Sequence, residues 1–147
     1  MNQKIFPKVA DNNYSGSKIA LYTFLVLASV GIVRSCIHLL ATDGGAGSIA
    51  GMDLNLAGAN NIIFSFALWG SSQLLMAIMQ LIVYFRYKSL IPLMYILVFL
   101  EIIFRMTVGH MKPPTFAHVP PGQISNYIIL PLSVVMFFMS VRKWKRE

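Results

Sequence analysis

Long apolar stretches alternate with short polar ones along this chain, and four of the former are of membrane length: residues 19–41, 61–85, 90–108 and 124–141. Each falls within or near the ~17–25 residues that a helix needs to cross ~30 Å of hydrocarbon. The pattern predicts an all-α polytopic membrane protein, a four-transmembrane-helix bundle forming a single membrane domain over residues 1–147. Before the first stretch lies a polar lead-in with a small apolar patch at Ile5, Phe6 and Val9, expected to hold at most one interfacial turn. Residues 42–60 carry glycine clusters around an apolar middle, which predicts a loop with a short interfacial or re-entrant piece. The link Arg86–Ser89 is short, so the second and third helices are expected to be antiparallel neighbours. Pro92 falls in the first turn of the third, where its missing N–H does little harm. The segment 109–125, with Pro113, Pro114, Pro120 and Pro121, reads as a connecting loop. On the second helix Ser65, Trp69, Ser72, Gln73, Met76 and Gln80 fall on one stripe, expected to face protein.

Composition agrees with the pattern: 56% of residues are hydrophobic and 12% charged, against about 25% charged in a soluble domain. A net charge of +7 would suit a nucleic-acid binder, but the basic residues sit mainly in short segments between apolar runs, where they report topology and lipid contact. The partners expected are therefore membrane lipids and a small amphiphile or protein partner, not nucleic acid. Lys4, Lys8 and Lys18 precede the first span, Arg86 and Lys88 join the second to the third, and Arg142, Lys143, Lys145 and Arg146 follow the fourth. The alternate segments hold only Lys112. That asymmetry predicts an integral membrane protein with both termini in the cytoplasm. The first span lacks a convincing Ala-x-Ala-like cleavage site and is expected to be an uncleaved anchor. A single cysteine, Cys36, permits no intrachain disulfide and is expected to be a buried, inert thiol.

Charges inside the apolar runs carry the candidate chemistry. Glu101 and Arg105 are four residues apart, as are Arg34 and His38, and that spacing puts each pair on one helical face. With spans one and three running outward and two and four inward, Glu101 and Gln73 lie near the bilayer centre. Arg34, Trp69 and Arg105 lie about one turn further out, with His38 and His110 nearer the outer surface. Two arginines and one carboxylate leave a surplus positive charge in a medium where an unpaired ion costs several kcal/mol. Three readings follow. The polar residues hold the helices in register; or Arg34, His38, Trp69, Gln73, Glu101, Arg105 and His110 bind an anionic or strongly polar head group; or Glu101 works with His38 or His110 as an intramembrane acid and base. Neither a nucleophile elbow nor a His-Glu-x-x-His motif supports the last. The Gly-x-Gly spacing of the first loop lacks the Gly-Lys-Ser/Thr of a phosphate cradle. His110 and His118, eight apart across a proline-rich loop, do not make a metal site, and no cofactor is expected. Met76, Met79, Met94, Met106, Met136 and Met139 are scattered over three helices and read as gap-filling core.

The layout resembles that of small bacterial four-span membrane proteins, loosely the DoxX-like group. The residues that carry the resemblance are Arg34 late in span one, Asp53-Leu54-Asn55-Leu56 with Ala59-Asn60 before span two, and Phe104-Arg105 with Gly109 and Pro113 closing span three. It extends over about residues 19–141 and implies a four-helix fold in a bacterial inner membrane.

Overall fold

The computed structural model describes residues 3–142, so Lys143, Lys145 and Arg146 of the basic C-terminal cluster lie outside the described residues. Among those described there are four long helices, α1 (Lys18–Leu40), α2 (Ala59–Arg86), α3 (Ile91–Met111) and α4 (Pro121–Val141), with one 3₁₀ turn at Lys88–Leu90 and no strand. All four are long and apolar enough to cross a membrane, which makes this an integral membrane protein. Local sequence explains their ends. The Ser17 hydroxyl caps α1 by accepting from the Ile19 N–H at 3.2 Å, and Pro92 and Pro121 occupy first-turn positions whose N–H groups would be orphaned anyway. The helix α3 continues through Gly109 to Met111, because one glycine costs only about 1 kcal/mol. It stops just short of Pro113, whose ring disfavours the helical conformation at the preceding residue. With α4 starting at Pro121, the fourth span is 21 residues long, longer than the run 124–141 suggests. It also contains Pro131 on an exposed face.

Packing is uneven along the bundle. The helix α1 lies along α2 and α3 along α4, while the two hairpins meet mainly through α1 and α4. The short link joins the end of α2 to the start of α3, but these two helices make little further contact, contrary to the expectation of close neighbours. The core gathers at the end where both termini lie, from Ala20 and Phe24 of α1, Val83 of α2, Ile91, Met94 and Tyr95 of α3, and Met136 of α4. Phe24 meets Tyr95 edge to face at 5.6 Å, and the buried Tyr95 hydroxyl donates to the Ala20 carbonyl at 2.6 Å. In lipid such contacts gain dispersion and hydrogen bonding rather than release of water.

The N-terminal segment is more than a polar lead-in. Its backbone closes this end of the bundle, with the Gln3 N–H donating to the Val141 carbonyl at 3.0 Å and the Ser89 N–H to the Asp11 carbonyl at 3.1 Å. The Gln3 side chain donates to the Ser89 carbonyl and accepts from the Ser15 N–H. Helix ends leave carbonyls without intrahelical partners, and this segment supplies some of the donors.

Several expected faces are corrected. Gly70, Ala77, Gln80 and Val83 are the buried positions of α2. Trp69 and Gln73 are half-buried, while Ser65, Ser72 and Met76 are exposed, so the protein-facing stripe is rotated from the expected one. The small residues lie where α1 comes closest, and shape rather than polarity sets the face. Met79 is also exposed, while Met94 and Met136 fill the core and the half-buried Met139 packs against it. Cys36 is half-buried, not fully buried. Ile102, next to Glu101 in the apolar run of α3, is buried.

Gly70 shows how tight the α1–α2 seam is: a Cβ there would stand 2.7 Å from the His38 Cβ and 3.0 Å from the backbone of His38 and Leu39. A helix backbone cannot yield as a side-chain tip can. Gly70→Ala is therefore expected to destabilise the protein by about 1–3 kcal/mol, the usual cost of overpacking, and to displace His38. Comparing its thermal midpoint in detergent with that of Gly109→Ala, where a Cβ meets nothing within 4 Å, checks this. Equal midpoints would refute it.

Candidate functional site

At the end of the bundle away from the termini the hairpins part, and the space between them is a groove of about 1000 Å³. Its walls come from Ser29 to His38 of α1, Phe66 and Trp69 of α2, Arg105 to His110 of α3 and Pro121 to Tyr127 of α4. The two loops roof it with Ile49, Ala50, Pro113, Pro114 and Phe116. The volume stands at the top of the ~300–1000 Å³ range of small-molecule sites.

The polar cluster gathers around Trp69. The Arg34 guanidinium lies 5.3 Å and that of Arg105 5.8 Å from the centre of the indole ring, and the His38 ring lies 4.9 Å from it. Cations gain about 0.5–2 kcal/mol from such a face, more as water is removed. The partners of the two arginines differ. Arg105 donates to the Glu101 carboxylate at 2.5 Å, an ion pair one helical turn long. Arg34 donates to the side-chain oxygen of Gln73 at 2.7 Å, and that partner is neutral. Glu101 thus pairs with Arg105, and among the described residues Arg34 has no ion-pair partner of its own.

The site residues named from sequence sort into two groups. Arg34, His38, Trp69, Arg105 and His110 line the groove, His110 on its exposed rim. Gln73 and Glu101 stand behind them, each holding one arginine. His38 is buried, and its Nδ1 lies 2.8 Å from the Gly44 carbonyl. A carbonyl can only accept, so Nδ1 carries the proton and donates. This contact fastens the first loop to α1.

The loops are built, not slack. Asp43 accepts from the Ser48 N–H at 2.7 Å and the Gly45 N–H at 2.8 Å. These bonds, that of Ser48 first, hold its carboxyl at a pKa of about 2. Because the folded value is depressed, the clamp is fully present above the ordinary carboxylate range and is lost as pH falls toward 2. The second loop is stitched to the first through the Ala117 N–H donating to the Gly51 carbonyl at 2.8 Å, and His118 Nε2 at 3.2 Å from the Ile49 carbonyl. Gly51 has a φ of +68°, and a Cβ there would run into the His118 ring. Among the described residues no group of three or more His, Cys, Asp or Glu side chains could hold a metal.

Sequence reasoning missed Asn126, Tyr127, Phe66 and Phe116, all of which line the groove. Asn126 is the most telling, being largely buried in a membrane helix while its amide, which bonds to no described side chain or backbone group, keeps access to the groove. An amide two positions after the start of an apolar run reads as an interfacial helix end. Only the longer α4 puts it below the rim.

Fold and site together define an all-helical integral membrane protein whose four-helix bundle is closed at the end holding the termini and opens at the other into a groove with a net positive charge. Comparison with known protein families, curated proteins and solved structures finds no match.

Proposed function

We propose that this protein is a non-enzymatic component of a bacterial inner membrane that binds the polar head of a small amphiphile in the groove beside Arg34, with both termini in the cytoplasm. The observation that carries the reading is the position of Arg34. It faces a largely apolar groove, and its hydrogen-bond partner is the neutral Gln73 amide. A guanidinium so placed favours an oxyanion partner, with which it forms short, charge-assisted bonds. Aromatic walls and a few convergent polar groups are what small-molecule sites share. The likeness to the DoxX-like proteins belongs to the proposal and rests on the residues named for it above. The rival acid–base reading draws little from the geometry: Glu101 is held by Arg105 away from the groove lining, and the His38 Nδ1 proton is committed to Gly44.

Two measurements test the proposal. Mass spectrometry of the protein released in mild detergent is expected to show a retained amphiphile with an acidic or strongly polar head; retention of nothing, or of phospholipids in bulk proportion, would sink it. Reporter fusions at Lys88 and at the C-terminus should be active only with a cytoplasmic reporter, following the lysine and arginine asymmetry. Activity of an external reporter at either place would invert the orientation.

A further inference from the structure

We infer that the ligand is a single-chain amphiphile with one negative charge, and that Asn126 reads its head alongside Arg34. The inference rests on the groove reading above and narrows it. Three observations carry it: the charge of the site, an amide that opens onto the groove from α4, and the space available.

The charge is one. Arg34 and Arg105 contribute two cations and Glu101 removes one, so a singly charged oxyanion balances the layer and a dianion overfills it. The amide of Asn126 is the second polar group at this depth. Arg34 and Arg105 each lie six residues from the open end of their helices and Asn126 five residues into α4, and all three line the groove. Asn126 is 8% exposed and belongs to the groove lining. Its amide is not among the fully enclosed unpaired atoms, so it meets whatever fills the groove, and a ligand oxygen between it and Arg34 would pair with it.

The space fits one chain. A methylene takes up nearly the ~30 Å³ that a water occupies in the liquid, so about 1000 Å³ holds roughly thirty heavy atoms, enough for a head and one chain. The chain has a path as well. From the Arg34 layer toward the closed end, Val33 and Val30 continue the groove wall, and Val26 extends the same exposed face of α1 by another turn. A tail laid along this face points toward the bilayer centre, as in the surrounding lipid, while the loops cover the head. The shared chemistry is a monoanionic oxyanion on one chain, whether the carboxylate of a fatty acid or the phosphodiester of a lysophosphatidylglycerol.

Trp69 supplies the probe. The chain has two tryptophans, and Trp144→Phe leaves Trp69 alone to report. In detergent, above the ordinary carboxylate range of pH, dibromostearate should quench Trp69 saturably. The matching dibromo-alcohol should bind at least about tenfold more weakly, and Arg34→Gln should weaken the acid by about tenfold or more, the worth of a charge-assisted bond. Asn126→Leu should weaken it by roughly three- to tenfold and Asn126→Asp by more, the latter keeping size and polarity so that a loss cannot be put down to packing. Unbrominated fatty acid or lysophosphatidylglycerol should relieve the quenching, and whichever does so at lower concentration identifies the head; two-chain phosphatidate should not compete. Equal quenching by acid and alcohol, with no effect of Arg34→Gln, would overturn both this inference and the groove reading. Quenching that depends on Arg34 but is indifferent to Asn126, or is relieved equally by phosphatidate, would overturn the inference and leave the groove reading standing.

Discussion

Arg34→Gln alone is expected to empty the groove of its endogenous ligand while leaving the bundle folded. Glutamine keeps hydrogen-bonding capacity and removes the charge, and the partner it leaves behind, Gln73, is neutral and can pair with another amide. Loss of a charge-assisted bond is worth about 1.5–3 kcal/mol, or roughly 10- to 100-fold in affinity, enough to lose a ligand during purification. Lysine should rescue only partly if the head is held by both guanidinium nitrogens, since an ammonium cannot form the planar fork. From sequence the two arginines look equivalent, but the structure separates them. Arg105→Gln also strands the Glu101 carboxylate, so its effect on binding mixes with instability and is readable only together with Glu101→Gln. Quantifying co-purified lipids in wild type, Arg34→Gln and Arg34→Lys checks this, and identical profiles in all three would return Arg34 to a structural role.

The largest effect on stability is expected from Glu101→Ala. Removing one partner of a buried ion pair costs about 3–5 kcal/mol because the other charge remains without compensation. Here the Arg105 and Glu101 side chains keep 24% and 30% of their exposure, so about 2–3 kcal/mol is a fairer figure once partial screening is allowed for. Val108→Ala is the proper lipid-facing control, since Val108 is exposed and Ile102 is not. It should change stability by no more than about 0.5 kcal/mol. The double variant Glu101→Ala with Arg105→Leu should recover most of the loss, because both charges are then gone. Reversible unfolding in mixed micelles of wild type, Glu101→Ala, Arg105→Leu and the double variant, with Val108→Ala as control, gives the cycle that isolates the pair. Glu101→Ala matching Val108→Ala in stability would show that water, not Glu101, neutralises Arg105.

The spans were legible because a bilayer accepts only long apolar helices, and the polar cluster because charge inside such helices is rare enough to stand out. Arg34 with Gln73 and Glu101 with Arg105 do meet, at the shared depth that residue counting implies. Which helices pair was harder to see. The α1–α2 seam depends on close approach at Gly70 and at Gly31, where an added Cβ would stand 3.2 Å from Ala77. Small residues spaced along a span were the available sign, outweighed by the polar stripe. The burial of Ile102 followed the same rule, since an isoleucine fits lipid and protein equally well. Folding of residues 3–17 over the closed end depends on backbone donors meeting carbonyls of α4 and of the α2–α3 link. Side-chain pattern carries no trace of such bonds. The roof over the groove was hidden for a similar reason, being set by Asp43 and the backbone of Gly51.

The most direct test of the account is a solid-state nuclear magnetic resonance measurement on the protein in its native lipids, with the arginine guanidinium nitrogens labelled. Distances from the Arg34 nitrogens to carbon or phosphorus of bound molecules would be read in wild type and in Arg34→Gln. The account predicts a close contact between the Arg34 guanidinium and the carboxylate carbon or phosphorus of an amphiphile, absent in the variant, beside the existing bond to Gln73. An Arg34 guanidinium that touches only Gln73, Trp69 and water in native membranes would contradict it.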